Sequence, residues 1–311
     1  MAVLMAIAVV GMVISCFLMP VEDSGVLVSG LPWLSHVLAL LCLVLVAFSL
    51  GYVNTNSYLF TSDSSMLYLP YLLSVLVLPG AVSLTVYHMS ALLVLWGMFY
   101  AVRYLNAETL RFDLLFISVL TSGVAAMMVP QLLYVEIFLF LYCLVSRGQD
   151  LSRFLLSGLA AAALPWIYIL SWMYFFPDSL GLDYLADFRR SLGFSLPSLS
   201  SMALSDAVLS CFALLLVIRA LLFVSVKNRE RNKAQKNAFG LSVALSVISV
   251  LTVIFCRTGA SPLIVMVAGV PVSLSVFDFF TNGRGKEPAI WAALLLVLTV
   301  SLRVLDLLPV F

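Results

Sequence analysis

Charge is scarce in this chain. Asp, Glu, Lys and Arg make up 10% of 311 residues, against 63% hydrophobic ones, and histidine occurs only twice. Together with a mean hydropathy of +1.15, this excludes a water-soluble enzyme domain, whose surface could not carry so much apolar side chain. A formal net charge of +1 excludes a nucleic-acid partner, which requires a concentrated basic face. No GxxxxGK[ST], HExxH, GxSxG or GxGxxG is present, so nucleotide hydrolysis, zinc proteolysis and serine hydrolysis are not expected. The five cysteines, Cys16, Cys42, Cys143, Cys211 and Cys256, lie inside or at the edges of apolar runs without CxxC spacing. They read as small buried hydrophobes, and no metal or cofactor is implied.

What fills the chain instead is a series of apolar runs, each near the roughly 20 residues that a helix needs to cross about 30 Å of hydrocarbon. They are too long for the alternating segments of a membrane barrel. The expected fold is therefore all-α, one polytopic bundle over residues 1–311. Spans are expected at 2–19, 33–53, 66–80, 84–102, 112–129, 131–146, 154–176, 205–226, 239–256, 261–280 and 288–305, about 11 in all, with 10 as the competing count. Val129-Pro130-Gln131 is either a tight periplasmic turn or a proline kink in one re-entrant hairpin. The first run has no Lys or Arg ahead of it and no small-x-small site before Pro20, so it is expected to stay as a helix.

The cations set the orientation, because Lys and Arg concentrate in cytoplasmic loops. Arg103 with Arg111, Arg147 with Arg153, the stretch Lys227 to Lys236, and Arg284 with Lys286 hold eleven of the sixteen. With eleven spans all four groups fall on one side, which places the N-terminus in the cytoplasm and the C-terminus outside. The cation-free stretch from Asn54 to Ser65 lands on that side without supporting it.

Two connections have content of their own. In the outer loop 177–203, Leu180, Leu182, Leu185, Phe188 and Leu192 alternate with acids and the pair Arg189-Arg190, the spacing of a short amphipathic helix lying in the interface. Arg189 and Arg190 could clamp a phosphate or pair with Asp183, Asp187 or lipid headgroups. The basic cytoplasmic loop 227–238 reads as a topology anchor attracted to anionic lipid.

Ionisable groups within the spans are the best pointers to function, since they are costly there without a partner or cavity. Asp113, Asp278, Asp206, Arg303 and Asp306 lie near span ends, and Arg219 is close enough to an end to snorkel. Glu136 lies deeper on a short stem. In this topology it shares the outer half of the membrane with His36 and His88, below Glu22 and Asp23 of the first outer loop. A cluster of carboxylates and imidazoles is what proton-coupled transport or acid/base chemistry would use.

The motifs Tyr52-Val-Asn-Thr-Asn-Ser-Tyr58, Tyr68-Leu-Pro-Tyr71, Leu78-Pro79, Tyr100-Ala-Val-Arg-Tyr104 and Arg111-Phe-Asp113 stand with Val129-Pro130, Leu155-Leu-Ser-Gly-Leu159, Leu164-Pro165-Trp166 and Ala268-Gly-Val-Pro-Val-Ser-Leu274. In these the chain resembles an uncharacterised family of multi-pass inner-membrane proteins of Bacteroidota, a domain of unknown function. The resemblance implies a bacterial inner-membrane, cell-envelope setting and no known activity.

Three functions are open at this point. The first is a non-catalytic subunit or scaffold for envelope assembly, with membrane lipids and other envelope proteins as partners. There, Ser157-Gly-Leu-Ala-Ala-Ala-Ala163 and Val267-Ala-Gly-Val270 would make helix contacts. The second is a transporter or flippase using Glu136, His36 and His88. The third is a glycosyltransferase similar to the polyprenyl-phosphate-sugar enzymes, with Glu22-Asp23 as the catalytic pair and Arg189 or Arg190 holding a lipid-linked substrate.

Overall fold

In a computed structural model of the protein, the described residues are 32–57, 71–72, 75, 81, 83–147, 150–176, 183–193, 204–227, 233–255, 264–283 and 286–307. They are helical almost throughout, and no strand occurs among them. Nine apolar helices and one short polar helix follow one another: α1 (Pro32–Ser57), α2 (Val86–Asn106), α3 (Phe112–Met128), α4 (Leu133–Arg147), α5 (Leu151–Phe175), α6 (Asp183–Ser191), α7 (Leu204–Lys227), α8 (Lys233–Phe255), α9 (Ile264–Asn282) and α10 (Glu287–Leu307). Six helices, including α4 with the short turn before it, are long and apolar enough to cross a membrane. α3 and the apolar parts of α7 and α10 are shorter. The expected spans 2–19 and, apart from Tyr71, Leu72 and Val75, 66–80 lie outside the described residues.

Local chemistry explains the breaks. Val129 takes an extended conformation, φ −130° and ψ 95°, and Pro130 then opens a single 3-10 turn, Pro130–Leu132, leading into α4. Proline's fixed φ suits the start of a helix, and its missing N–H removes nothing that a first turn needs. Of the two readings of Val129-Pro130-Gln131, the structure has the tight turn between two packed helices. Asp150 caps α5 with a positive φ of 56°, a conformation that Asp tolerates better than most side chains.

Hydrogen bonds between helix ends fix their relative sense. Arg147 donates from Nη1 to the carbonyl of Tyr104 at 2.7 Å, and Tyr104 donates its hydroxyl to the carbonyl of Arg147. Asn237 donates to Asn106 Oδ1 at 3.4 Å, and Ser157 to the carbonyl of Phe112 at 3.0 Å. The end of α2, the start of α3, the end of α4 and the starts of α5 and α8 therefore share one end of the bundle. This end holds Arg103, Arg111, Arg147, Arg153, Lys233 and Lys236. At the opposite end, Ser35 accepts the backbone N–H of Leu84 at 2.9 Å. Tyr52, nearly five turns further along α1, packs on Trp96 and Phe99 of α2. α1 and α2 thus run parallel.

The interior is centred on α9, which is buried along nearly its whole length among α2, α7, α8 and α10. Small and hydroxylated residues let it sit so close: Ser246 of α8 and Ser275 of α9 meet at 3.1 Å, and each also bonds a carbonyl of its own helix. Such polar contacts suit an apolar surrounding where hydrophobic burial does not distinguish helix from lipid. The rim faces outward with apolar side chains. α1 exposes Val37, Leu41, Val44, Leu45 and Phe48, and α5 exposes Leu156, Leu159, Leu164, Ile167 and Leu170. Towards the end away from the basic loops, α5 carries Tyr168, Trp172, Tyr174 and Phe175, with Phe176 just past it, the aromatic girdle typical of a membrane–water boundary.

Candidate functional site: a buried carboxyl beneath an amphipathic helix

Glu136 projects from the first turn of α4 and is only 5% exposed. It fits because Gly123 of α3 leaves a notch there. A Cβ on Gly123 would lie 3.1 Å from Glu136 Oε1 and 3.5 Å from Pro165 Cγ of α5. α3, α4 and α5 thus meet around this notch. No hydrogen bond or ion pair to that carboxyl is found among the described residues. Pro165 adds a second feature, because an interior proline removes the amide that would bond the carbonyl four residues earlier. That carbonyl belongs to Ala161, which is fully buried and lies one turn before Pro165 on the same face of α5.

The amphipathic helix expected in the 177–203 loop is α6, and it covers this corner. Tyr184 donates its hydroxyl to the carbonyl of Met127 at the end of α3, at 2.9 Å. Burial pushes this phenol above its usual range and keeps it a neutral donor. Phe188 is buried with its ring edge-on to Trp166 of α5, centroids 4.7 Å apart. Tyr134 of α4 donates to the carbonyl of Leu192, just past α6, at 2.7 Å. Each of the three helices around the notch is therefore fastened to α6 or its last turn. Arg189 and Arg190 lie on the exposed face, where Arg190 pairs with Asp187 at 3.2 Å.

The two histidines occupy another corner. His88 is fully buried in the first turn of α2. Its Nδ1 accepts the backbone N–H of Thr85 at 3.2 Å, and Nε2 lies 3.1 Å from the carbonyl of Ala81. This pattern places the ring proton on Nε2 and uses both nitrogens to close the start of the helix. His36 is half-buried in the first turn of α1, beside the Ser35 bond to Leu84. The structure thus sets the histidines at the α1–α2 corner and Glu136 at the α3–α4–α5 corner. Glu22 and Asp23 lie outside the described residues.

Arg219 does more than snorkel. It forms a two-pronged pair with Glu287 at the start of α10 and stacks over Phe279 of α9, 5.1 Å from the ring centre. Glu287 and Gly123 had no signal in the sequence, since a partner 68 residues away and a glycine within an apolar run both depend on tertiary packing. A separate cavity between α7, α8, α9 and α10 is walled almost wholly by apolar side chains, among them Phe212, Leu216, Val253, Val265 and Val272, with Gly269 and Ser273 as its small members. No group of three or more His, Cys, Asp or Glu able to hold a metal occurs among the described residues. No family model matches the chain, and no curated protein or solved structure does either.

Proposed function

We propose that the chain is a multi-pass protein of the bacterial inner membrane, acting as a non-catalytic subunit or scaffold in envelope assembly. It has about eleven spans, its basic end in the cytoplasm and α6 at the outer face. The orientation follows from the positive-inside bias, supported by the gathering of the basic helix ends at one end of the bundle. The observation that carries the scaffold role is how its polar interior groups are used. His88 closes a helix start, Arg219 joins α7 to α10, Arg147 joins α4 to α2, and Ser246 meets Ser275. Each bond holds helix to helix or closes a helix end. The outward apolar faces of α1 and α5 are surfaces for lipid tails or for the apolar helices of partner proteins.

The test is complementation of a deletion strain, read as growth and envelope permeability with protein level measured alongside. A scaffold is restored in full by Glu22→Ala with Asp23→Ala and by Arg189→Ala with Arg190→Ala. It is not restored by changes that block helix packing. Loss of function in either charge variant at normal protein level would instead favour a polyprenyl-phosphate-sugar glycosyltransferase or a lipid-phosphate transporter.

A further inference from the structure

The corner of α3, α4 and α5 contains a feature that helix-to-helix contact does not explain: a carboxyl with no counter-charge among the described residues, seated in the notch at Gly123 and roofed by a separately fastened helix. We propose that Glu136 is a membrane-embedded proton site, held as the acid in the notch at Gly123 and shielded from water by α6.

Two observations carry it. First, the charged side chains described on the elements around the notch are placed elsewhere. Asp113 of α3 pairs with Arg111 at 2.6 Å at the basic end. Arg103 of α2, Arg153 of α5, and Lys233 and Lys236 of α8 also lie at that end, and Arg147 of α4 bonds the carbonyls of Tyr104 and Leu105 there. On α2, His88 is engaged with Thr85 and Ala81. On α6, Asp187, Arg189 and Arg190 are exposed. An ionised carboxyl at membrane depth costs about 3 kcal/mol, whereas the start of a helix returns only about 0.3–1 kcal/mol to a negative charge. The proton therefore stays.

Second, the roof is specific to this corner: Tyr184, Phe188 and the Tyr134–Leu192 bond fasten α6 to α3, α5 and α4 within about a turn of Gly123, Pro165 and Glu136. Lifting α6 would open the carboxyl to water, so proton exchange is coupled to the seating of α6.

Carbodiimide labelling tests this in membrane fragments open on both sides, so that the result does not depend on orientation or on the scaffold role. A carboxylic acid adds across the C=N bond, its proton passing to nitrogen and its oxygen to carbon, and the adduct rearranges without loss of atoms to a stable N-acylurea. The mass of the peptide containing Glu136 reads the product. Dicyclohexylcarbodiimide is expected to label the wild-type protein at neutral pH and not Glu136→Gln, while a water-soluble carbodiimide leaves the wild type unlabelled. Tyr184→Phe with Phe188→Ala, or the milder Tyr134→Phe should the first not fold, should raise water-soluble labelling about tenfold, since a lost buried hydrogen bond shifts a local opening by about that factor. Three results would overturn the proposal: no labelling of the wild type by the hydrophobic reagent, full labelling of the wild type by the water-soluble one, or no gain in either loosened variant.

Discussion

Arg219 and Glu287 meet through two parallel hydrogen bonds, Nε to Oε1 at 2.5 Å and Nη2 to Oε2 at 2.6 Å. The planar fork of guanidinium matches a carboxylate in a way that an ammonium cannot, and the Phe279 ring beneath it fixes the plane. The pair joins α7, α9 and α10 near the basic end.

Arg219→Ala and Glu287→Ala should each lower the thermal midpoint of the purified protein, and the double variant should lose no more than the worse single one. Arg219→Lys should recover only part, because it keeps the charge and loses the fork. Equal stability of Arg219→Lys and wild type would show that the geometry contributes nothing.

Gly158 accepts the edge of the Phe140 ring where a Cβ would stand, which makes α5 dependent on a bare backbone at this point. Gly158→Ala should destabilise by about 1–3 kcal/mol, the usual cost of overpacking, and adding Phe140→Leu should recover most of it. Chemical denaturation of the single and double variants checks this.

His88→Ala removes both ring contacts at the start of α2 and leaves the Ala81 carbonyl without its partner. The expected loss is about 1–3 kcal/mol of stability, with growth restored wherever the protein still accumulates. A variant that accumulates normally but fails to support growth would assign His88 a role beyond closing the helix.

Several apolar helices and the amphipathic helix were legible because length and composition mark them: α1 covers the run expected at 33–53, α5 that at 154–176, and α6 lies within the expected 177–203 loop. Val129-Pro130 marked a break but not its shape, since proline is compatible with both a turn and a kink. The site was only half legible. Glu136 stood out as an acid within an apolar run, but its neighbours depend on how α4 is rotated, and that rotation follows from Gly123, a residue whose relevant property is the absence of a side chain. The surroundings of His88 were not legible either, because its partners, Thr85 and Ala81, are local backbone and hydroxyl groups that hydropathy does not register.

The account rests on α6 and the basic helix ends lying on opposite sides of a membrane. In a cysteine-free background, single cysteines at Ala186 of α6 and at Lys236 of α8 should be tested in intact cells with a membrane-impermeant maleimide that passes the outer barrier. The account predicts labelling at 186 in intact cells and at 236 only after the inner membrane is opened. Labelling of both in intact cells, or of 236 alone, would contradict it.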